Sequence, residues 1–69
     1  MPDMRVLVNG EVQEVPEGTT VAALLDRMDL GGRRLAVERN QGIVPRSAYA
    51  QTILHGEDRI EVVHAVGGG

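Results

Sequence analysis

Apolar residues recur at every second position near the beginning of the chain, which predicts a β-strand with one buried face. The alternating residues are Met4, Val6 and Val8. The dipeptide Asn9-Gly10 follows, and it readily supplies the two residues of positive φ that a tight hairpin turn requires. A second strand then runs to Pro16, which cannot donate to a β-ladder. This stretch therefore predicts a β-hairpin, with residues 1–3 disordered ahead of it.

The period of the apolar pattern then changes from two to 3.6, which predicts one amphipathic helix. Its apolar stripe consists of Val21, Leu24, Leu25 and Met28. Thr19 or Thr20 is expected to cap the beginning of the helix. Gly31 or Gly32 is expected to adopt the left-handed conformation that ends it.

Between this helix and the last strand, the pattern predicts two short strands and one helical turn. The strands include residues 35–38 and 43–44, are joined by a turn at residues 40–42, and end at Pro45. Ser47 is predicted to cap a single helical turn. The residues after it that we expect in the core are Tyr49, Ile53 and Leu54.

The last strand, residues 59–66, is rich in β-branched residues. Ile60 and Val62 share the face expected in the core, whereas Val63 faces outward. The first and last strands are the most apolar, so we expect them side by side and parallel at the sheet centre. Residues 1–66 thus predict an α+β fold of the β-grasp, or ubiquitin-like, type. In it, one main helix packs across a mixed sheet of four to five strands, and residues 67–69 form a flexible glycine tail.

The composition excludes several classes of function. The chain has 69 residues, no cysteine and no lysine, and a formal net charge of -3. A cysteine-free chain has no thiol nucleophile and no thiolate metal site. Acidic balance and a single aromatic residue argue against binding to nucleic acid. No apolar stretch is long enough to span a membrane and no signal peptide is apparent, so a soluble cytoplasmic protein is expected.

Candidate catalytic and metal-binding residues are few. His55 and His64 have no further ligands clustered near them in the sequence, so we expect structural roles for both and no metal. The acidic residues at positions 57, 58 and 61 are predicted to be solvated. We find no active site in this sequence and expect that the protein is not an enzyme.

The three glycines at positions 67–69 are the remaining unusual feature. Extended, they reach roughly 10 Å, and without side chains they can pass through a channel that a Cβ would block. A carboxylate on Gly69 would be ionised, because its reference pKa is about 3.3–3.7. Simple fraying of a glycine-rich terminus explains these residues equally well.

Tail and predicted fold together resemble the ThiS family, the ubiquitin-like sulfur carriers of thiamine biosynthesis. The matching segments are VNGE, GTTVAALL, AVERNQGIVPRSAYAQTIL and DRIEVVHAVGGG, which together span most of residues 4–69. The most specific segments are residues 40–46 and the C-terminal VGGG. In the turns at residues 40–42 and 56–58, the glycine stands one position away from its usual place in the family, so both turn types stay open.

The resemblance implies that a ThiF-like adenylyltransferase uses ATP to adenylate the Gly69 carboxylate, so this chain itself binds no cofactor. A cysteine desulfurase relay would then supply sulfur to form a thiocarboxylate, and thiazole synthase (ThiG) would consume it. Gly67 and Gly68 would thread the partner active site. A partner-binding patch would comprise Val63, Ala65, Ala36 and Val66.

Two alternatives remain open at this point. The chain could serve another pathway, as a MoaD-like small subunit of molybdopterin synthase or as a carrier for tRNA thiolation. It could also be a non-catalytic β-grasp binding module with an inert tail.

Overall fold

A computed structural model describes residues 2–64 of the chain. Its strands and helix follow one another in the predicted order. They are β1 (Asp3–Val8), β2 (Glu11–Pro16), α1 (Val21–Arg27), β3 (Leu35–Arg39), β4 (Gly42–Val44), a 3-10 turn (Arg46–Ala48) and β5 (Arg59–His64).

The five strands form one mixed sheet in the order β2-β1-β5-β3-β4. β1 pairs with β5 in parallel through Leu7 opposite Arg59 and Val8 opposite Ile60. The other neighbours are antiparallel. The predicted central position and parallel pairing of the first and last strands are confirmed, as is the α+β β-grasp fold with its single main helix.

The core lies between the helix and one face of the sheet. Its buried apolar residues are Val6, Val8, Val15, Val21, Leu24, Leu25, Val37, Val44, Leu54, Ile60 and Val62. Three of the four residues in the predicted helical stripe are among them, and Met28 packs against this cluster. Alternate residues of each strand therefore face the helix side of the sheet, and the intervening ones lie on the opposite face, which we call the outer face.

Both ends of α1 are capped, but only one of them by a predicted residue. The Thr20 hydroxyl accepts a hydrogen bond from the backbone N–H of Ala23 at 3.1 Å, which confirms this residue as the N-cap. Gly31 and Gly32 were expected to end the helix, and this prediction is wrong. Asp29 adopts the left-handed conformation instead, with φ of 60°.

Two hydrogen bonds define this helix end as a Schellman motif. The N–H of Leu30 donates to the carbonyl of Leu25 at 2.8 Å, and the N–H of Asp29 donates to the carbonyl of Asp26 at 3.0 Å. Leu25 and Leu30 both pack in the core, so the apolar contact that accompanies such motifs selects the end of the helix ahead of the glycines.

Three further expectations differ from the structure. β1 begins at Asp3, a residue that we expected to be disordered. Ser47 lies inside the 3-10 turn, whose N-cap is Pro45 without a side-chain hydrogen bond, so Ser47 is not a cap. Ile53 is 50% exposed rather than in the core: it forms an isolated bridge to Thr20, and in such extended backbone it and the buried Leu54 point to opposite sides.

Candidate functional site

The end of β5 carries an exposed apolar pair on the outer face of the sheet. Val63 is 56% exposed, whereas Val62 before it is buried. Ala36 of β3 lies directly opposite Val63 and is also exposed. Two of the four residues predicted for partner binding are therefore adjacent on an accessible surface.

The outer face extends beyond this pair in a way that the sequence did not predict. Ile43 of β4 is 70% exposed, and it lies opposite Glu38, which in turn lies opposite Glu61 of β5. In a strand of three residues the alternation is too short to reveal which side chain faces outward. The outer face thus combines exposed aliphatic side chains with two carboxylates, and contiguous exposed apolar side chains can mark a surface that meets a partner.

The side chain of Asn9 makes two hydrogen bonds to the backbone of β5. Its Oδ1 accepts from the N–H of Val62 at 2.9 Å, and its Nδ2 donates to the carbonyl of Val62 at 3.2 Å. Sequence reasoning recognised the turn at Asn9-Gly10 but not this contact. The partners are 53 positions apart, so no local pattern indicates it.

An open groove of about 530 Å³ follows β5 on the side of this asparagine. The groove is lined by Leu7, Asn9, Gly10, Arg59, Ile60 and Glu61. The groove is open to solvent rather than enclosed.

Just before β5, the buried Asp58 is the centre of a polar cluster, so the prediction that this carboxylate is solvated is wrong. Its Oδ2 accepts from Arg39 Nε and from the N–H of His55, both at 2.8 Å. Its Oδ1 accepts from Asn40 Nδ2 at 3.0 Å. Arg39 Nη2 also lies 3.2 Å from Nδ1 of His55, which places this histidine at the edge of the cluster.

These contacts control the ionisation of Asp58. Burial by itself would raise the pKa of this carboxyl. The hydrogen bonds from Arg39, Asn40 and the His55 backbone, together with the charge of Arg39, outweigh burial and hold the pKa below its ordinary value. The carboxylate is therefore ionised and fully bonded at neutral pH, as expected for a structural group rather than a proton donor.

The remaining predicted site residues, Ala65, Val66, Gly67, Gly68 and Gly69, lie outside the described residues. His64, the last residue described, is exposed at the end of β5. Among residues 2–64, no three histidine, aspartate or glutamate side chains are grouped so that they could hold a metal ion. In the same range, no helix is long and apolar enough to cross a membrane.

Two known proteins match this chain over their whole length, one by its sequence and one by its crystal structure. Sulfur carrier protein ThiS of Escherichia coli is 35% identical over 66 residues, which cover 96% of this chain and 100% of that protein. The crystal structure of thiamine biosynthesis protein ThiS from Geobacter metallireducens matches with a TM-score of 0.82 at 29% identity. That match covers 96% of this chain and 100% of the Geobacter chain.

A third relative is much longer. A thiazole synthase of Paramagnetospirillum magneticum is 42% identical over 66 residues, which cover 96% of this chain but only 20% of the synthase. This chain thus spans about a fifth of the length of that relative. The sequence model of the ThiS family matches residues 6–69, from the middle of β1 onwards. The chain therefore belongs to the ThiS family.

Proposed function

We propose that this chain is a sulfur carrier that delivers sulfur, as a thiocarboxylate on Gly69, for thiazole formation in thiamine biosynthesis. One observation carries the proposal: the chain aligns with the whole of a protein named as a sulfur carrier, at 35% identity. The chemistry of the sequence agrees with it. Without cysteine, the chain can hold sulfur covalently only through an acyl group, and a terminal glycine offers the least hindered one.

The proposed reaction has two steps, both catalysed by partner enzymes. In the first, the Gly69 carboxylate oxygen attacks the α-phosphate of ATP on a ThiF-like adenylyltransferase, and pyrophosphate leaves. In the second, sulfur from a cysteine desulfurase relay attacks the acyl carbon, and AMP leaves. When the attacking sulfur is the outer sulfur of a relay persulfide, this second step includes reduction of the acyl disulfide that forms: a thiol reductant supplies two electrons, the S–S bond breaks, and the thiocarboxylate and the relay thiolate remain. In this proposal ATP binds to the adenylyltransferase, and this chain is the protein substrate of that enzyme. We place both steps in the cytoplasm.

The outer face at the end of β5 is the proposed docking surface for these partners. Val63 and Ala36 supply exposed apolar contact immediately before the segment that carries the reacting carboxylate. Ala65 and Val66 are proposed to continue this patch, and Gly67 and Gly68 to thread the partner's channel. Small apolar patches of this kind bind well when a partner excludes water from them.

Thiazole synthase is the proposed consumer of the sulfur. Two relatives named thiazole synthase, from Paramagnetospirillum magneticum and Magnetococcus marinus, contain a segment that matches 96% of this chain at 42% and 41% identity. A carrier-like segment within such a synthase favours the thiazole pathway over molybdopterin or tRNA thiolation.

Intact-mass spectrometry tests the carrier role. The chain is co-produced with a ThiF-type adenylyltransferase and a cysteine desulfurase, then purified and weighed. We expect a mass gain equal to the replacement of one oxygen by sulfur, located on Gly69 by fragmentation. Deletion of Gly69 serves as the control and should abolish the gain, because the acyl position then lies one residue short of the partner's reaction centre.

Absence of the mass gain, under conditions in which E. coli ThiS is converted by the same enzymes, would contradict the carrier role. The consumer is tested separately, by adding the converted chain to thiazole synthase or to the large subunit of molybdopterin synthase, each supplied with the substrates that accept the sulfur. Return to the original mass should occur with thiazole synthase. Sulfur loss to the molybdopterin enzyme alone would overturn the thiazole assignment and leave the carrier role intact.

A further inference from the structure

Asn9 performs the role of a strand residue at a point where β1 has already turned away. The parallel pairing between β1 and β5 ends at Val8 and Ile60. Asn9 then adopts a left-handed conformation, with φ of 52°, and its own N–H donates to the carbonyl of Ile60 at 2.9 Å. Its carboxamide, which has the same donor and acceptor as a peptide group, bonds both the N–H and the carbonyl of Val62.

Among residues 2–64, this contact is the support that Val62, the last buried residue of that range, has on the β1 side. On the other side, β3 pairs with β5 as far as Leu35 opposite His64. On the β1 side, backbone pairing stops at Ile60, two residues before Val62. The Asn9 carboxamide therefore extends two-sided support of β5 to the residue immediately before the exposed Val63.

From this geometry we infer that Asn9 is a positioning residue for the acyl-transfer reaction, because it holds Val62 in place immediately before Val63 of the proposed docking surface. The inference rests on the proposed function. A reacting group delivered at the end of a short segment depends on the angle at which that segment leaves its anchor. Small errors in placement reduce the rate of such reactions strongly.

A turn preference does not account for the contact. Glycine adopts positive φ more easily than asparagine, so the backbone conformation at position 9 does not require a carboxamide. What glycine would lack is the pair of hydrogen bonds from the Asn9 carboxamide to Val62 of β5, the strand that precedes Gly69 in the sequence.

Asn40 provides a matched control within the same chain. It also occupies a hairpin turn in the left-handed conformation, with φ of 51°, and its N–H donates to the carbonyl of Arg59 at 2.8 Å. Its Oδ1 accepts from the N–H of Arg59 at 2.9 Å, and its Nδ2 donates to Asp58. Both asparagines thus bind β5 through backbone and side chain, but Asn40 does so at the start of the strand.

The experiment compares Asn9→Gly with Asn40→Gly, since glycine keeps the positive φ and removes only the carboxamide. Two quantities are measured: amide hydrogen exchange by NMR, and kcat and KM for thiocarboxylate formation by intact mass. In Asn9→Gly we expect at least tenfold faster exchange of the Val62 amide, kcat lowered about tenfold, and KM within about twofold of wild type. In Asn40→Gly we expect faster exchange at Arg59 and unchanged kcat, although this variant loses the contact to Asp58 as well.

A third variant, Asn9→Asp, keeps an oxygen that accepts from the Val62 N–H and loses the donor to the Val62 carbonyl. Its kcat should lie between those of wild type and Asn9→Gly, so the inference remains testable if the glycine variant folds poorly. Equal kcat in Asn9→Gly and Asn40→Gly, with the wild-type chain converted normally, overturns the positioning role and leaves the proposed function standing. A wild-type chain that is not converted at all overturns both.

Discussion

An asparagine side chain binds the backbone at each end of β5, but the residues that surround the two asparagines differ. At the start, Asn40 belongs to a cluster in which the buried Asp58 carboxylate accepts three hydrogen bonds. At the end, the Asn9 carboxamide supports Val62 on the β1 side, without a further side-chain partner there among residues 2–64. Next to that point, the exposed Val63 lies opposite the exposed Ala36 of β3.

This difference suggests that the start of β5 contributes mainly to the stability of the fold, whereas its end is suited to contact with a partner. A charge that is buried and fully bonded is costly to disturb, so the start of β5 is fixed firmly to β3 and to the turn before it. An exposed aliphatic pair costs little to change in the isolated chain and matters when a partner covers it. The strand is thus anchored at one end and accessible at the other.

The largest stability effect is expected from Asp58→Asn. This change removes the charge and turns an amide group toward donors that need an acceptor, so we expect a loss of about 2–3 kcal/mol in the free energy of unfolding. Urea denaturation measures it. Glu57→Gln, an exposed change in the same turn, is the control and should stay within about 0.5 kcal/mol of wild type. Similar losses of unfolding free energy in both variants would show that the hydrogen bonds of Asp58 do not stabilise the fold more than an exposed residue of the same turn does.

The contribution of Asp58 to the free energy of unfolding should also depend on pH. Because the pKa of Asp58 is lowered in the folded chain, the unfolded chain binds this proton more readily. The stabilisation is therefore fully present above the unfolded pKa of about 3.9, and it is lost as pH falls through the lower folded value.

Urea denaturation between about pH 6 and pH 2.5 tests this dependence. We expect the difference between wild type and Asp58→Asn to be constant above about pH 5 and to shrink below about pH 4. A difference that stays constant across the whole range would contradict ionisation of Asp58 as its source.

At the end of the strand, Val63→Asp should affect binding and not stability. We expect the affinity for the adenylyltransferase to fall about tenfold, because a charge then lies within a contact that loses its water. Val12→Asp is a matched control, since Val12 is 52% exposed on the same outer face but lies in the edge strand β2. Its affinity should stay within about twofold of wild type when both are measured by calorimetry. Equal losses in both variants would show that the loss of affinity is not specific to the end of β5.

The sequence was a good guide where structure depends on neighbouring residues. The stripe of Val21, Leu24 and Leu25 predicted α1 because a helix brings these positions to one side. Asn9-Gly10 predicted the first hairpin because both residues tolerate positive φ. Alternation in the last strand predicted which residues would be buried and which exposed.

The sequence was a poor guide where a side chain finds its partner across the fold. Asp58 looked like a surface acid because Arg39 and Asn40 are 19 and 18 positions away. The end of α1 was misplaced because contact of Leu30 with the core, rather than the glycines, selects Asp29 for the left-handed position. No periodicity encodes contacts of either kind.

The smallest expected effect concerns the two turns that contain these asparagines. Asn9 is followed by Gly10 with φ of 84°, whereas Asn40 is followed by Gln41 with φ of 72°. A residue with a side chain is strained there by about 1–2 kcal/mol, partly offset by the greater flexibility of glycine when unfolded. Gln41→Gly should therefore raise the free energy of unfolding by about 0.5–1 kcal/mol, measured by urea denaturation.

Gly10→Gln is the reciprocal control. A Cβ at position 10 would meet no other atom within 4 Å, so the cost of this change is conformational and free of steric clash. It should lower the free energy of unfolding by about as much as Gln41→Gly raises it. The double variant, which exchanges the two residues between the turns, should then be about as stable as wild type. If Gln41→Gly gives no gain while Gly10→Gln is destabilising, the cluster around Asp58 rather than the turn itself imposes the conformation at position 41.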